Sequence, residues 1–565
     1  MSQHIPEDIP AATHLLRNTR FGAVHGVDDS SATGTLFWKG IPYARPPVGA
    51  WRWRAPVDPE SWSAPLQAHH FGPPPLQYGR IYGPGRNNTH DESIAETLCT
   101  PVGSEDCLSL NIWRPATQET GLPVIFYIFG GSNVSGYSAD PVYDGAALAK
   151  SANAVVVTAN YRVGIFGWLF SPHLRSGDNP LDDSGNFGTL DTIKALQFVQ
   201  DNVHAFGGNA DKVTLMGQSA GAVNVYALLT SPLVCMAPTR LFHRAVPLSG
   251  GICLASNLPP GCIPTLNPAS TALAQSSALL NQLLIEDGLA ADTASAQAYV
   301  DSQSQEQLAA YLRAKDAHAL FHVLMGKLAA MGLSASGPIP EGHVLPLDPI
   351  EAIRAGNYMK VPVLAGNTRD EAKLFPGFLA LSPVLGGVPG LIVNDADRFT
   401  AMYHFDPDQE HAQQTPDAYI HPNYLPVDTP QTGYTARTDL LNRIFFLPSR
   451  DCVLNALKSR QDEVWYYQFN WDQEAAPWNA IYGAAHAFDL PFLFGNFGHS
   501  LFSRVIGGKA NQGGRLALSQ TMMAFLGAFA RSGNPNHSAL PQLWPSWPRQ
   551  LLLDATLTDA VTSVR

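Results

Sequence analysis

Apolar residues of this chain recur with two periods, which predict alternating strands and helices. Short β-branched runs bounded by turn residues repeat along the chain, as expected of buried strands. Between them, apolar residues at helical spacing run from Ile193 to Phe206 and stop at Gly207. Such alternation predicts a large, mostly parallel sheet with crossover helices. The predicted strands are 124–129, 154–161, 213–216, 245–248, 361–365 and 464–469.

Two stretches interrupt this alternation. Residues 266–335 are rich in Ala, Gln, Leu and Ser with helical periodicity, which predicts an inserted helical region. Residues 375–436 are dense in Pro, Gly and His and predict an irregular insertion. Loops of this length usually cover a site or bind a ligand, and a solvated insertion is the alternative. We predict one domain over residues 1–565 that contains both insertions.

The composition excludes several functional classes. The chain has 565 residues, of which 45% are hydrophobic and 10% aromatic, enough for a large core. Its net charge of -12 and the lack of a Lys/Arg cluster argue against nucleic-acid partners. The apolar runs are far shorter than the roughly 18 residues that cross a membrane, so no membrane span is expected. The sequence leaves the oligomeric state open.

The N-terminus and the cysteines bear on the compartment. The first eight residues carry acid rather than base and lead into no apolar stretch, so we predict a cytoplasmic protein. A leader removed before the numbering begins would instead make it secreted. The six cysteines match no zinc spacing, and no metal site is predicted. Cys99 with Cys107, and Cys253 with Cys262, could bridge surface loops, although the cytosol would keep them reduced.

One serine lies in a setting typical of a nucleophile. The strand at 213–216 runs into Gly217-Gln218-Ser219-Ala220-Gly221, and a helical segment follows. A G-x-S-x-G pattern between strand and helix forces a sharp turn that exposes the serine hydroxyl. Small residues at 217 and 221 permit the close approach of backbone. The alternative is a serine in an ordinary turn, because 48 glycines make a chance match easy.

A serine hydroxyl needs a base to take its proton, so the chain must supply a histidine. With this turn, the acid and then the histidine follow the serine along the chain. Asp370 and Glu371 come just after the strand at 361–365 and both offer carboxylates. Only His486 lies in a run of small residues beyond the last predicted strand, so we favour it. The other downstream histidines are His404, His411, His421, His499 and His537.

Several longer blocks match a known family in order. Residues 38–52 read Trp-Lys-Gly-Ile-Pro-Tyr-Ala-Arg-Pro-Pro-Val-Gly-Ala-Trp-Arg, and residues 104–113 read Ser-Glu-Asp-Cys-Leu-Ser-Leu-Asn-Ile-Trp. With the blocks at 186–191 and 533–536, they make the chain resemble the type-B carboxylesterase and cholinesterase family. The resemblance implies an α/β-hydrolase fold with insertions over the active site. It also implies a serine esterase of small-molecule esters that forms an acyl-enzyme and needs no cofactor.

The resemblance carries the family's triad onto this sequence position by position. It implies Ser219 as the nucleophile, Glu371 as the acid and His486 as the base. This is the same histidine that its small neighbours favour. Asp370 is then a neighbour of the acid, and the resemblance also implies that Ser249 lies close to it.

The oxyanion hole implied by the resemblance uses the backbone N–H groups of Gly131, Ser132 and Ala220. The family usually has H-G-G-G-F here, whereas Ser132 and Asn133 replace its third glycine and its aromatic residue. Because the donors are backbone groups, the hole can survive both replacements. The added hydroxyl and amide lead to the hypothesis that a more polar acyl chain is tolerated.

Two further expectations follow from the resemblance. Arg52 and Glu105 are implied to form a structural salt bridge. The loop between 77 and 105 contains no tryptophan, and Pro75 stands where cholinesterases have a cysteine, so a choline cage is not expected.

Two alternatives remain beside a carboxylesterase. The cleaved bond could be an amide, a carbamate or a lactone, which the sequence does not separate. A non-catalytic binding module of the same fold would lack a triad member, whereas all three are present.

Overall fold

The computed structural model describes residues 13–377, 394–409, 415–498 and 500–565. His411 and His499 lie outside these ranges, as do the first twelve residues and part of the irregular stretch. The described strands are β1 (Leu16–Thr19), β2 (Gly22–His25), β3 (Val27–Asp29), β4 (Thr35–Pro42), β5 (Leu66–Gln67), β6 (Gln77–Tyr78), β7 (Pro101–Val102), β8 (Ser109–Pro115), β9 (Leu122–Ile128), β10 (Val155–Ala159), β11 (Gly208–Gln218), β12 (Arg244–Leu248), β13 (Val363–Thr368), β14 (Val464–Phe469), β15 (Leu551–Ala555) and β16 (Ala560–Val564).

Eleven of the described strands form one sheet in the order β16-β15-β14-β13-β12-β11-β9-β10-β8-β4-β3. All neighbours from β10 to β15 are parallel, and the outer pairs are antiparallel. The six strands predicted from the sequence are β9 to β14, so the predicted α/β fold is confirmed. The antiparallel edge strands were not predicted, because in β4 polar residues interrupt the apolar pattern and the register shifts between Trp38 and Ile41.

Helices flank this sheet. The helix at Phe187–Asn202 is followed by a short 3₁₀ helix, Val203–Phe206. Gly207, which has a left-handed φ of 80°, ends this helical segment, as predicted. The α-helices are α1 (Ile94–Thr97), α2 (Ala146–Ala152), α3 (Gly164–Gly167), α4 (Pro180–Asp183), α5 (Phe187–Asn202), α6 (Ala220–Thr230), α7 (Pro232–Cys235), α8 (Ala269–Glu286), α9 (Thr293–Ser302), α10 (Gln305–Ala314), α11 (Ala317–Val323), α12 (Pro349–Ala355), α13 (Asp395–Tyr403), α14 (Tyr434–Leu441), α15 (Leu447–Lys458), α16 (Trp478–Ile481), α17 (Leu490–Phe494), α18 (Leu501–Ile506) and α19 (Gln512–Ser532).

The core lies on both faces of the sheet, where every residue of β9 and β10 is buried. Helices α8 to α11 occupy much of the predicted helical stretch and form a smaller cluster with Trp53 and Phe166. Arg52 anchors this cluster: its Nε donates to Glu105 at 2.7 Å and its Nη1 to the Arg313 carbonyl at 3.0 Å. The salt bridge implied by the resemblance is therefore confirmed.

Two negative findings complete the description. All six cysteines are free thiols, so neither of the two pairs considered from the sequence is bridged. Among the helices that the structure describes, none combines the length and apolar character needed to cross a membrane.

Candidate active site

Ser219 occupies the turn between β11 and α6. Its backbone is strained, with φ of 60° and ψ of -126°. Glycines make the turn possible, because a Cβ on Gly217 would lie 2.4 Å from the Gly221 carbonyl oxygen. The Ser219 N–H donates to the Leu248 carbonyl of β12 at 2.8 Å. The sheet therefore holds this serine at the carboxyl end of its central strands, in the setting that the motif predicts.

The carboxylate of Glu371 lies just beyond β13 and is 1% exposed. Its Oε1 accepts hydrogen bonds from the Asn367 side chain at 2.8 Å and the Thr368 N–H at 2.9 Å, and its Oε2 pairs with Nδ1 of His486. Burial alone would raise the pKa of Glu371, but the His486 ring, the Ser249 side chain and the Thr368 N–H together outweigh it and lower the pKa. An ionised Glu371 fixes the proton on Nδ1 and leaves a lone pair on Nε2 of His486.

Asp370, the other candidate acid, is engaged elsewhere. Its backbone N–H donates to the Ala484 carbonyl at 2.8 Å, and its Oδ2 accepts the Ala484 N–H at 3.0 Å. Arg369 Nη2 also lies 2.7 Å from this Oδ2. Asp370 thus fastens the loop that carries the acid to the loop that carries the histidine.

The other ring nitrogen of His486, Nε2, contacts Gln218, a residue that the sequence did not single out. Nε2 lies 3.0 Å from Nε2 of Gln218, so the amide donates to the imidazole lone pair. Within the described parts of the chain, the Ser219 hydroxyl has no hydrogen-bond partner. Proton transfer from Ser219 requires Nε2 to exchange the Gln218 amide for the serine hydroxyl, and catalytic hydrogen bonds often tighten only with substrate. The position of Gln218 just before the predicted nucleophile was the available signal.

Three backbone donors border the nucleophile. The loop after β9 approaches it closely, because a Cβ on Gly130 would lie 2.8 Å from the Ser219 Cβ. Gly131 and Ser132 have positive φ angles of 110° and 56°. Over the described ranges, no acceptor takes the N–H of Gly131, Ser132 or Ala220. These unused donors are the groups predicted to form the oxyanion hole.

Asn133 ties the same loop to its surroundings. It is 4% exposed, its Oδ1 accepts from the Asn224 amide on α6 at 3.0 Å, and its carbonyl accepts from Gly164 N–H at 2.6 Å. The amide that replaces the family's aromatic residue therefore holds the donor loop against the helix that follows the nucleophile.

Two cavities meet at this site. The first cavity has about 1310 Å³ of space not filled by atoms, part of it open to solvent, and its wall includes segments 264–268 and 335–339. The second cavity has about 1290 Å³ of such space, and its wall includes residues 80–82 and 374–377. Both predicted insertions thus contribute walls beside the site. Four residues line both cavities: Ser132, Ser219, Phe375 and His486.

Comparisons with known proteins agree with this geometry. A family model described as "Carboxylesterase family" matches residues 13–559. A para-nitrobenzyl esterase of Bacillus subtilis (strain 168) is 32% identical over 97% of this chain and 96% of its own length. A fumonisin B1 esterase of Sphingopyxis macrogoltabida is 31% identical over 95% and 85%. A solved PNB esterase superposes with a TM-score of 0.70 and 28% identity, over 98% of this chain and 97% of its own.

Proposed function

The chain belongs to the carboxylesterase family as a serine hydrolase of carboxylic esters, and from this premise we propose that Ser219, His486 and Glu371 form its catalytic triad. The observation that carries the proposal is the buried pair of Glu371 and His486, because His486 also lines the two cavities that Ser219 lines. The unused N–H groups beside Ser219 supply the complementary site for negative charge.

In the first half of the reaction, Ser219 attacks the ester carbonyl while His486 Nε2 takes the hydroxyl proton. Glu371 stabilises the imidazolium that forms. The N–H groups of Gly131, Ser132 and Ala220 hold the oxyanion, and each such donor typically contributes about a hundredfold in rate. When the tetrahedral intermediate collapses, the alcohol leaves with the proton from His486 and the acyl group stays on Ser219.

In the second half, water attacks the acyl-enzyme and His486 takes the water proton. The same amides hold the second oxyanion. Collapse releases the carboxylic acid, and His486 returns the proton to Ser219. The mechanism consumes one water and uses no group beyond this chain's own residues.

The proposed substrates are small-molecule esters. The names of the relatives suggest para-nitrobenzyl esters as a first assay substrate. A panel that includes matched amides, carbamates and lactones separates the alternatives named above.

Ser219→Ala tests the assignment directly. We expect hydrolysis of para-nitrophenyl acetate to fall by about a millionfold, as loss of a triad nucleophile does. Ser231→Ala is the matched control, because Ser231 lies at the other end of α6, is buried and lines neither cavity. Undiminished hydrolysis by the Ser219 variant defeats the proposal.

A further inference from the structure

The second cavity has a cation in its wall that the proposed mechanism does not use. Arg80 lies two residues beyond β6 and lines this cavity together with Ser219 and His486. In the part of the chain that the structure describes, its side chain forms no ion pair and no hydrogen bond. Burial lowers the pKa of Arg80, and the charge of Asp395, which lines the same cavity, only partly opposes this effect. Among the described residues no carboxylate lies within ion-pair distance of the guanidinium, so no direct ion pair offsets the cost of its burial.

The other three charged residues of this wall, Arg398, Asp395 and Asp140, each have a hydrogen-bond partner among the described residues. Arg398 pairs with Asp395, with Nη1 and Oδ1 2.9 Å apart, and also donates to the Tyr419 hydroxyl at 2.7 Å. Asp140 accepts the Val142 N–H at 3.0 Å at the start of a 3₁₀ helix. Arg80 is therefore the charge in this wall whose partner is missing among the described residues.

We propose that the second cavity receives a carboxylate carried by the ester substrate, with Arg80 as its counter-ion. The inference rests on the proposed function, because the same cavity opens onto Ser219. A guanidinium presents parallel N–H donors that match the two oxygens of a carboxylate, and such charge-assisted pairs are stronger than neutral hydrogen bonds. The preferred substrate thus has its scissile ester at Ser219 and a free acid group on the part that enters the second cavity.

Two pairs of esters test this specificity and the side of the ester that carries the acid. On the acyl side, para-nitrophenyl hydrogen adipate is compared with its methyl ester. On the alcohol side, 4-acetoxybenzoate is compared with methyl 4-acetoxybenzoate. The readout is the ratio of kcat/KM for the anionic ester to that for its neutral partner.

For Arg80→Gln, we expect this ratio to fall about tenfold or more in at least one pair, while neutral esters keep their rates. Arg80→Lys keeps the charge and should retain most of the preference. Arg86→Gln is the matched control, because Arg86 lies on the same loop, is largely exposed and pairs with Glu96 at 2.7 Å. Added salt should lower the ratio in the wild type, since it screens the attraction.

A ratio that stays within twofold of wild type in both pairs for Arg80→Gln overturns the proposal. If that variant does not fold, the salt dependence of the wild type decides in its place, and a ratio that does not fall with added salt in either pair is the contrary result. Hydrolysis of the neutral esters tests the proposed function separately. Its loss in Ser219→Ala supports the triad and does not depend on the role of Arg80.

Discussion

The two cavities that meet at Ser219 are nearly equal in volume but differ in the charge of their walls. No Asp, Glu, Lys or Arg lines the first cavity in the described part of the chain. The wall of the second cavity contains Arg80, Asp140, Asp395 and Arg398. Ser219 and His486, the proposed nucleophile and base, line both cavities. We therefore expect the two cavities to share their chemistry and to select different parts of the substrate.

The shared residues and the cavity walls belong to different parts of the fold. Ser219 and Glu371 lie just beyond β11 and β13, the two strands on either side of β12, where backbone hydrogen bonds fix their positions. The walls come from loops and inserted helices, which can change residue type without disturbing the sheet. We therefore expect variants of the shared relay to affect all substrates alike and variants of the walls to affect only some.

Among variants that leave the proposed nucleophile in place, the largest effect is expected from Glu371→Gln. An amide cannot stabilise the imidazolium and favours the wrong tautomer, so kcat should fall by about 10⁴-fold. Esters that fill either cavity should lose the same factor, with KM little changed. Steady-state kinetics on a neutral bulky ester and an anionic ester check this. A loss confined to one ester class contradicts a shared relay.

A second variant tests how a buried carboxyl group, that of Asp489, affects the stability of the fold. Asp489 is fully buried, accepts the Tyr467 hydroxyl at 2.7 Å, and has its pKa raised by burial to about 6. Because the native carboxyl holds its proton more tightly than the unfolded one, this group favours folding below about pH 4 and loses that contribution as pH rises through 6.

Asp489→Asn removes this pH dependence. Relative to wild type, its free energy of unfolding should therefore rise by about 2 to 3 kcal/mol between pH 4 and pH 7. Urea unfolding at the two pH values measures the change. If the free energies of unfolding of the two proteins change equally between the two pH values, Asp489 does not have a raised pKa in the folded protein. As a control, the variant should keep the wild-type ratio of anionic to neutral ester hydrolysis.

A bulky residue in the first cavity should reveal which substrates depend on that cavity. Ala272 lines the first cavity from α8, and an indole there occupies space that a bulky neutral group needs. Ala272→Trp should lower kcat/KM for bulky neutral esters by about tenfold and spare para-nitrophenyl acetate. Ala274→Trp, on the exposed face of the same helix, is the control. An equal loss for the small ester would show that the change reaches the shared site.

The smallest effect is expected from Ser132→Gly. The hydroxyl borders both cavities, and its removal should shift the preference from polar toward apolar acyl chains by about threefold. Rates for acyl chains of equal length with and without a hydroxyl group measure this. An unchanged preference refutes the hypothesis of a polar acyl wall.

The sequence predicted the central strands and the site's backbone well because both follow from local patterns. Runs such as 464–469 are apolar enough to be recognised as buried strands, and Ser219 lies in a strand-turn-helix context. The position of Gln218 beside Ser219 places it near the site, but its contact with His486 depends on a side-chain orientation across 268 residues of chain, which no local pattern predicts. The missing counter-ion of Arg80 depends likewise on which distant segments surround it.

Labelling with a fluorophosphonate, followed by peptide mass spectrometry, is the most direct test of Ser219 as the nucleophile. We expect one adduct per chain, on Ser219, with hydrolysis of both neutral and anionic esters lost in step with labelling. Modification of another serine, or ester hydrolysis that persists in fully labelled protein, would contradict it.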